Sequence, residues 1–388
     1  MLKRCRILFV FGTRPELIKL QSIWDALQHS PLHDQVEVYF TGQHQDLVDY
    51  QQARKIPFPL HLPKQGVKRG LSLNALLSQF LQDLDYQLER LNPEIVIIQG
   101  DTTSAVAGAL ASFHRQIPVA HVEAGLRTPS IQEPFPEEAN RRLISQLASM
   151  HFAPTSQAEQ NLLDEGISPQ DILVTGNTGV DHILQHTDSS EALTTADHEV
   201  MRKLEVAMTP QKRMVLMTLH RRENMNHLES LLETLAALVT KYPQYHFVWP
   251  RHPNPTIMKT SSEQLGGHAQ FTLLPFVSHA LCLNLLQRAA LVMTDSGGLQ
   301  EEAITWGKPL LVMRQHTDRP EGLTQGAPVY MPQECEDVEG GFVANTMQIL
   351  EQLLQELPPA QEISRDVYGD GTAGQRIAKA LGRMLTCV

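Results

Sequence analysis

Several short stretches combine carboxylates, imidazoles or guanidinium groups with glycines. The first is Gly12-Thr13-Arg14-Pro15-Glu16 followed by Lys19, a glycine turn with two cations near a helix start. It lacks the three glycines with which a dinucleotide fingerprint brings its backbone against a pyrophosphate. Its plain reading is a strand-to-helix turn with Pro15 at the first helical position and solvated charges. Asp101 follows the apolar run IVIIQ and a glycine; it is either a functional carboxylate or the N-cap of the small-residue helix after it. Glu123, in HVEAGLRT, ends a buried-looking run beside His121 and Arg127. A carboxylate there is partly desolvated, which raises its pKa toward the range useful for proton transfer, unless it is held in an ion pair with Arg127.

PFPEEANRR puts Pro136 at a helix start, Glu137 and Glu138 in the first turn, and Arg141 and Arg142 four residues on, a spacing that reads as a salt-bridged helix. His220 ends a run in MTLHRREN, where it is either a surface residue or a group for holding an anionic leaving group. LVMTDSGGLQEE is the most specific local pattern: a strand, Ser296-Gly297-Gly298, then a helix with Glu301 and Glu302 read into its first turn. Glycines admit phosphate oxygens to the backbone, and the helix N-terminus supplies free N–H groups and partial positive charge. Glu302 would then accept hydrogen bonds from ribose hydroxyls of a nucleotide; a plain capped helix explains the same letters.

Positioning these residues requires strands that end where helices begin. Short β-rich apolar runs alternate with helical patterns throughout, which implies parallel sheets covered by helices. The first series is Arg6 to Phe11, Val36 to Thr41, Ile95 to Gln99, Val119 to Val122, His151 to Ala153 and Ile172 to Thr175. The second is Met214 to Leu219, His246 to Trp249, Phe271 to Leu274, Leu291 to Thr294 and Leu310 to Met313. Between them HTDSSEALTTADHE is polar and without apolar periodicity, so a boundary is expected near residues 178 to 205. At 388 residues two domains are expected, with a crevice at the carboxyl ends of strands. They are assigned to 1–180 and 205–365, and a final amphipathic segment, 366–388, suits either.

The formal charge of −11 argues against a nucleic-acid partner, whose backbone needs clustered Lys and Arg. No run approaches the roughly 18 apolar residues of a membrane span, and ILFVF is too short for a signal sequence. Cys5, Cys282, Cys335 and Cys387 are scattered without a CxxC, which suits reduced thiols in a cytoplasm and gives no metal site.

Taken together, FGTRPELIKL, GDTTSAVAGALA, PVAHVEAGLRT, PFPEEANRR, TGNT, HRREN, TDSGGLQEEA, GKPLLVMR, DRPEG and YGDG, in this order along nearly the whole chain, resemble the non-hydrolysing UDP-N-acetylglucosamine 2-epimerases. The resemblance implies a GT-B fold of two Rossmann-like α/β domains with the active site between them, and a C-terminal helix crossing back to the first. It implies a UDP-sugar as partner, no cofactor, a homodimer, and interconversion of UDP-N-acetylglucosamine and UDP-N-acetylmannosamine. By position within matching motifs, the acid/base residues fall on Asp101, Glu123, Glu137 and His220. The UDP and substrate contacts fall on Arg14, Lys19, Ser296, Gly297, Gly298, Glu302 and Arg319. An allosteric UDP-N-acetylglucosamine site would fall on Gln43, Arg69, Arg221 and His252, with Asp46 standing where the family has an amide. In PFVSHALCLNLL, near the uracil in the family, His279 and Cys282 replace the usual aromatics. A hydrolysing relative, an epimerase of diacetamido uronic acid sugars, a GT-B glycosyltransferase and a non-catalytic sensor are the competing readings. A glycosyltransferase need not carry the first-domain carboxylates Asp101, Glu123 and Glu137, and a sensor has no reason to keep all four acid/base positions.

Overall fold

The computed structural model describes residues 5–43, 60–63, 66–68, 70–185, 193–209, 211–324, 326–332, 341–360 and 367–386. His44, Gln45, Asp46, Arg69, Cys335, Cys387 and residues 186–192 lie outside them. The chain divides into two compact units, Met1–Gln185 with Tyr368–Val388, and His186–Val367.

The first unit carries a parallel sheet of β1 (Ile7–Phe11), β2 (Val36–Phe40), β3 (Leu60–His61), β4 (Ile95–Gln99), β5 (Val119–Val122), β6 (Met150–Ala153) and β7 (Ile172–Val174), in the order β3-β2-β1-β4-β5-β6-β7. All five residues of β1 are buried, as a strand covered by helices on both faces demands. Its side chains alternate between two cores. Ile7, Phe9 and Phe11 pack with Leu17, Leu20, Ile23 and Leu27 of the helix Arg14–Gln28. Leu8 and Val10 pack with Phe80, Leu84 and Leu88 of the helix Leu73–Leu91 and the alanines of the helix Thr103–His114. The small residues of that last helix set its distance from the sheet: a Cβ on Gly108 would lie 2.8 Å from Ile98 Cγ2.

The C-terminal helix Ala373–Thr386 completes the first of these cores with Ile377, Leu381 and Leu385. Its first amides are capped by the buried Asp181, whose carboxylate accepts from Ala373 N at 3.0 Å and Gly374 N at 2.7 Å. Burial pushes the pKa of Asp181 up, against the pull of those two bonds.

The second unit repeats the design with β8 (Arg213–Thr218), β9 (Tyr245–Pro250), β10 (Phe271–Leu274), β11 (Leu291–Thr294), β12 (Leu310–Val312) and β13 (Val329–Tyr330), all parallel, in the order β10-β9-β8-β11-β12-β13. Val215, Met217, Phe247, Trp249, Leu291 and Met293 bury one face against the helices Leu228–Val239 and Gly341–Gln355.

Two expectations need correction here. The two edge strands β3 and β13 were not expected; each is two residues long, too short for any periodicity. The polar stretch before the second series is not all connector. The helix Thr195–Ala207 begins within it, on a reciprocal cap in which Asp197 N donates to Thr194 Oγ1 and Thr194 N donates to Asp197 Oδ2. Among the described residues no helix is long and apolar enough to cross a membrane.

Candidate active site

In each sheet the strand order reverses once, between β1 and β4 and between β8 and β11. Outside the carboxyl ends of strands at such a reversal, diverging loops leave room for a ligand. Among the described residues, the sequence candidates with chemistry come after one of these strands or an immediate neighbour.

In the first unit Gly12, Asp101 and Glu123 follow β1, β4 and β5, three adjacent strands. Glu123 is buried with φ of 65°, a left-handed backbone that non-glycine residues hold only when the surroundings impose it. Two side chains impose its direction: Lys19 pairs with Oε1, and the Gln99 amide donates to Oε2. The alternative of an ion pair with Arg127 is overturned, since Arg127 instead forks onto Glu165 with both bonds at 2.7 Å. Lys19, expected as a substrate contact, thus has a carboxylate partner already.

Asp101 is not the cap of the helix Thr103–His114; Thr102 is, through a bond from Ala105 N at 3.1 Å. Asp101 is held from the helix Glu137–Leu147 instead. Arg141 Nη2 lies 2.6 Å from its Oδ2, and Asn140 Nδ2 donates to its carbonyl at 2.7 Å. The preceding Gly100, φ 68°, is fixed by His121, whose Nε2 donates to its carbonyl at 2.8 Å. Burial drives the His121 pKa down to about 3, so this ring is a neutral donor and not a titrating base.

Helix Glu137–Leu147 separates its two glutamates. Glu138 is fully buried and takes the structural work, accepting from Arg141 (3.4 Å), Arg142 (2.9 Å) and Thr128 N (3.2 Å). Glu137 has none of these; its Oε2 is a buried atom with no hydrogen-bond partner among the described residues.

Arg14 takes the first position of the helix Arg14–Gln28 and Pro15 the second, one later than expected. The amides of Gly12 and Thr13 are not open to a phosphate, because Glu16 Oε2 accepts from both, at 3.0 and 2.7 Å. Burial lifts the Glu16 pKa to about 7 in spite of the bonds from Thr102, Thr13 and Gly12. Gln43 is engaged too: its Oε1 accepts from Ser104 N and Oγ.

In the second unit His220 follows β8, and the Ser296-Gly297-Gly298 turn follows β11. Ser296 is the N-cap residue of the helix, and its side chain makes no capping bond. The glycines have different reasons. A Cβ on Gly297 would lie 2.7 Å from Arg319 Cζ, whereas nothing lies within 4 Å of one on Gly298. The space over Gly297 therefore belongs to a protein guanidinium, and the open approach is at Gly298.

Arg319 is buried between Glu301, at 2.9 Å, and Asp318, which also accepts from Arg314 at 2.8 Å. Glu301 and Glu302 lie in the second turn of the helix Gly297–Thr305, not the first. Glu302 Oε1 is 2.9 Å from His279 Nε2. His252 stacks on His220 with centroids 5.8 Å apart and 19° between planes, and Arg221 Nε is buried without a partner among the described residues.

Sequence reasoning missed Asp295, a carboxylate that accepts from three residues, and with it Asn224. Asp295 is fully buried and lies 3.1 Å from His220 Nδ1. Its signal was present: an acid directly after a four-residue apolar strand, ahead of the glycines. The described residues contain no cluster of metal-ligating side chains.

Comparison with known proteins agrees with this layout. A family model described as UDP-N-acetylglucosamine 2-epimerase matches residues 26–382. The UDP-N-acetylglucosamine 2-epimerase of Yersinia pestis is 36% identical over 380 residues, covering 97% of this chain and 98% of that one. That of Bacillus subtilis is 34% identical over 386 residues, covering 98% and 96%. Among solved structures, the UDP-GlcNAc 2-epimerase from Neisseria meningitidis bound to UDP-GlcNAc superposes with a TM-score of 0.84 at 33% identity, covering 97% of this chain and all of that one. The two parallel-sheet units are those of the GT-B class. With a family model spanning nearly the whole sequence and relatives above 30% identity end to end, the chain belongs to the UDP-N-acetylglucosamine 2-epimerase family.

Proposed function

We propose that this protein catalyses reversible epimerisation at C2 of UDP-N-acetylglucosamine, giving UDP-N-acetylmannosamine, by eliminating UDP to 2-acetamidoglucal and adding it back. The C2 proton has no adjoining carbonyl to acidify it, so simple deprotonation is unfavourable. Elimination removes it together with the UDP leaving group, and re-addition returns a proton to C2 from the other face. That route needs carboxylates for proton transfer and strong stabilisation of a departing diphosphate.

The observation that carries the reading is the division of labour between Glu137 and Glu138. A helix built only for stability would engage both, yet Glu138 takes the arginines and Glu137 keeps a buried oxygen unpartnered. Asp101, tethered to the same helix, and Glu123, held in a left-handed backbone, complete the acid/base set. His220, the open space beside Gly298, Glu302 and Arg319 serve the nucleoside diphosphate, with Arg14 and Lys19 as further substrate contacts. The unbridged Cys5 and Cys282 support a cytoplasmic location.

Proton NMR of the protein with UDP-N-acetylglucosamine in heavy water tests this. Deuterium is expected at C2 as UDP-N-acetylmannosamine appears, and Glu137→Gln is expected to slow that exchange by about 100- to 10,000-fold while keeping the fold. Free N-acetylmannosamine with UDP as the end products would replace this reading with the hydrolysing one, and an unreactive sugar would remove it.

A further inference from the structure

We infer that Asp295 is a positioning residue for the reaction, acting through His220 by fixing which ring nitrogen carries the proton; the inference rests on the role proposed for His220. Asp295 joins the ends of β8, β11 and β12. Its Oδ1 accepts from His220 N and lies 3.1 Å from His220 Nδ1. Its Oδ2 accepts from His220 N at 2.9 Å, Arg221 N at 2.8 Å and Asn224 Nδ2 at 2.9 Å. Asn224 Nδ2 also donates to Met313 O at 2.9 Å, which pins the amide against β12. Burial opposes ionisation of Asp295, but the bonds from His220, Arg221 and Asn224 outweigh it and hold the carboxyl below its ordinary pKa.

An ionised carboxylate only accepts, and with Oδ1 3.1 Å from Nδ1 a lone pair on that nitrogen would face negative charge whereas a proton there is attracted. The proton of the neutral ring is therefore on Nδ1, and the second nitrogen, Nε2, is left for a ligand. No hydrogen bond to Nε2 is made among the described residues, and the ring is about one-third exposed. The stacked His252 restrains the ring from a second direction. A ring so held takes a further proton at Nε2 with the buried carboxylate balancing its charge, and the resulting imidazolium donates from Nε2 to a departing phosphate oxygen. Setting the tautomer through the nitrogen that does not react is a common device for a working histidine. Neither the helix-capping nor the phosphate-cradle reading of TDSGG accounts for the contacts of Asp295 itself, which go to His220, Arg221 and Asn224 after β8.

Asp295→Asn reverses the arrangement without changing shape. The side-chain oxygen must still serve the amides of His220 and Arg221, which turns the NH2 toward Nδ1 and obliges that nitrogen to accept. Nitrogen-15 NMR of histidine-labelled protein, with His220 assigned by its loss in His220→Ala, is expected to show the Nδ1–H form in the unaltered protein and the Nε2–H form in Asp295→Asn. Turnover is expected to fall by at least about 100-fold with little change in KM. In a His220→Ala background Asp295→Asn is expected to cost nothing further, because the two act as one unit. An Nε2–H tautomer in the unaltered protein would overturn the inference, and this needs no variant to fold. Equal losses from Asp295→Asn with and without His220 would also overturn it. Near-normal turnover of His220→Ala would remove the role of His220 and the inference with it, whereas a wrong tautomer beside an inactive His220→Ala would remove the inference alone.

Discussion

Burial and hydrogen bonding act on individual carboxyls here with opposite results, and Glu16 shows how one can be measured. Burial raises its folded pKa to about 7 from an ordinary 4.5. A raised pKa means the folded chain holds the proton more tightly than the unfolded one, so the contribution to stability is full below 4.5 and is lost as pH rises through about 7. At roughly 1.4 kcal/mol per unit the loss is on the order of 3 kcal/mol. Glu16→Gln can still accept from Gly12 and Thr13 and donate to Thr102 while having nothing to ionise. The variant is therefore expected to melt near the parent below about pH 5 and well above it at about pH 8; parallel melting curves across that range would show that Glu16 is not the titrating group. The same physics decided which residues were legible in the sequence. Glu123, Asp101 and the Ser296 turn stood out because a charged or glycine-rich letter closed an apolar run. Their partners did not, because the arginine that faces Asp101 is 40 residues away and Lys19 faces a glutamate 104 residues on. Arg127, the neighbour in sequence, was the wrong partner for Glu123 because a second acid, Glu165, fits its fork better.

At the scale of elements, the strands with helices on both faces were readable because burial on both sides leaves continuous apolar runs, as in IVIIQ and ILFVF. The edge strands β3 and β13 were not, since two residues carry no period, and the helix Thr195–Ala207 was hidden by the polar first turn that its own cap requires. Close helix packing is likewise invisible in the letters. The C-terminal helix has two glycines, Gly374 and Gly382, with opposite surroundings. A Cβ on Gly374 would lie 2.5 Å from the backbone oxygen of Ser22, while one on Gly382 meets nothing within 4 Å. Backbone cannot give way cheaply, and Gly374 stands at the second helical position, where alanine gains little from propensity. Gly374→Ala is expected to cost about 1–3 kcal/mol, and Gly382→Ala to stabilise by about 0.5–1 kcal/mol. Melting temperatures of the two variants that moved in the same direction would contradict the packing described for this helix.

For the whole molecule, the two units are built from the chain in different ways. The second is one continuous segment, His186–Val367, with its own core. The first is assembled from two pieces, so its core is complete only when the final residues are present. Ile377, Leu381 and Leu385 lie in that core, Asp181 caps the helix that carries them, and Arg6 at the entry to β1 donates to Leu385 O. Burying three such side chains contributes roughly 5–9 kcal/mol at about 1.5–3 kcal/mol each, an upper estimate because an unfolded chain already buries part of this surface. Domain stabilities are about 5–15 kcal/mol, so the loss is comparable with the whole. A chain ended after Val367 is therefore expected to keep slow amide exchange in β8 and β11 and to lose it in β1, β2 and β4, together with any proton transfer by Asp101, Glu123 and Glu137. Adding a peptide of residues 368–388 in trans should restore protection to β1 by supplying the missing apolar face and the partner for Asp181. Unchanged exchange in β1 of the truncated chain would mean that the first unit is stable on its larger piece alone, with the C-terminal helix a covering and not a part of the core.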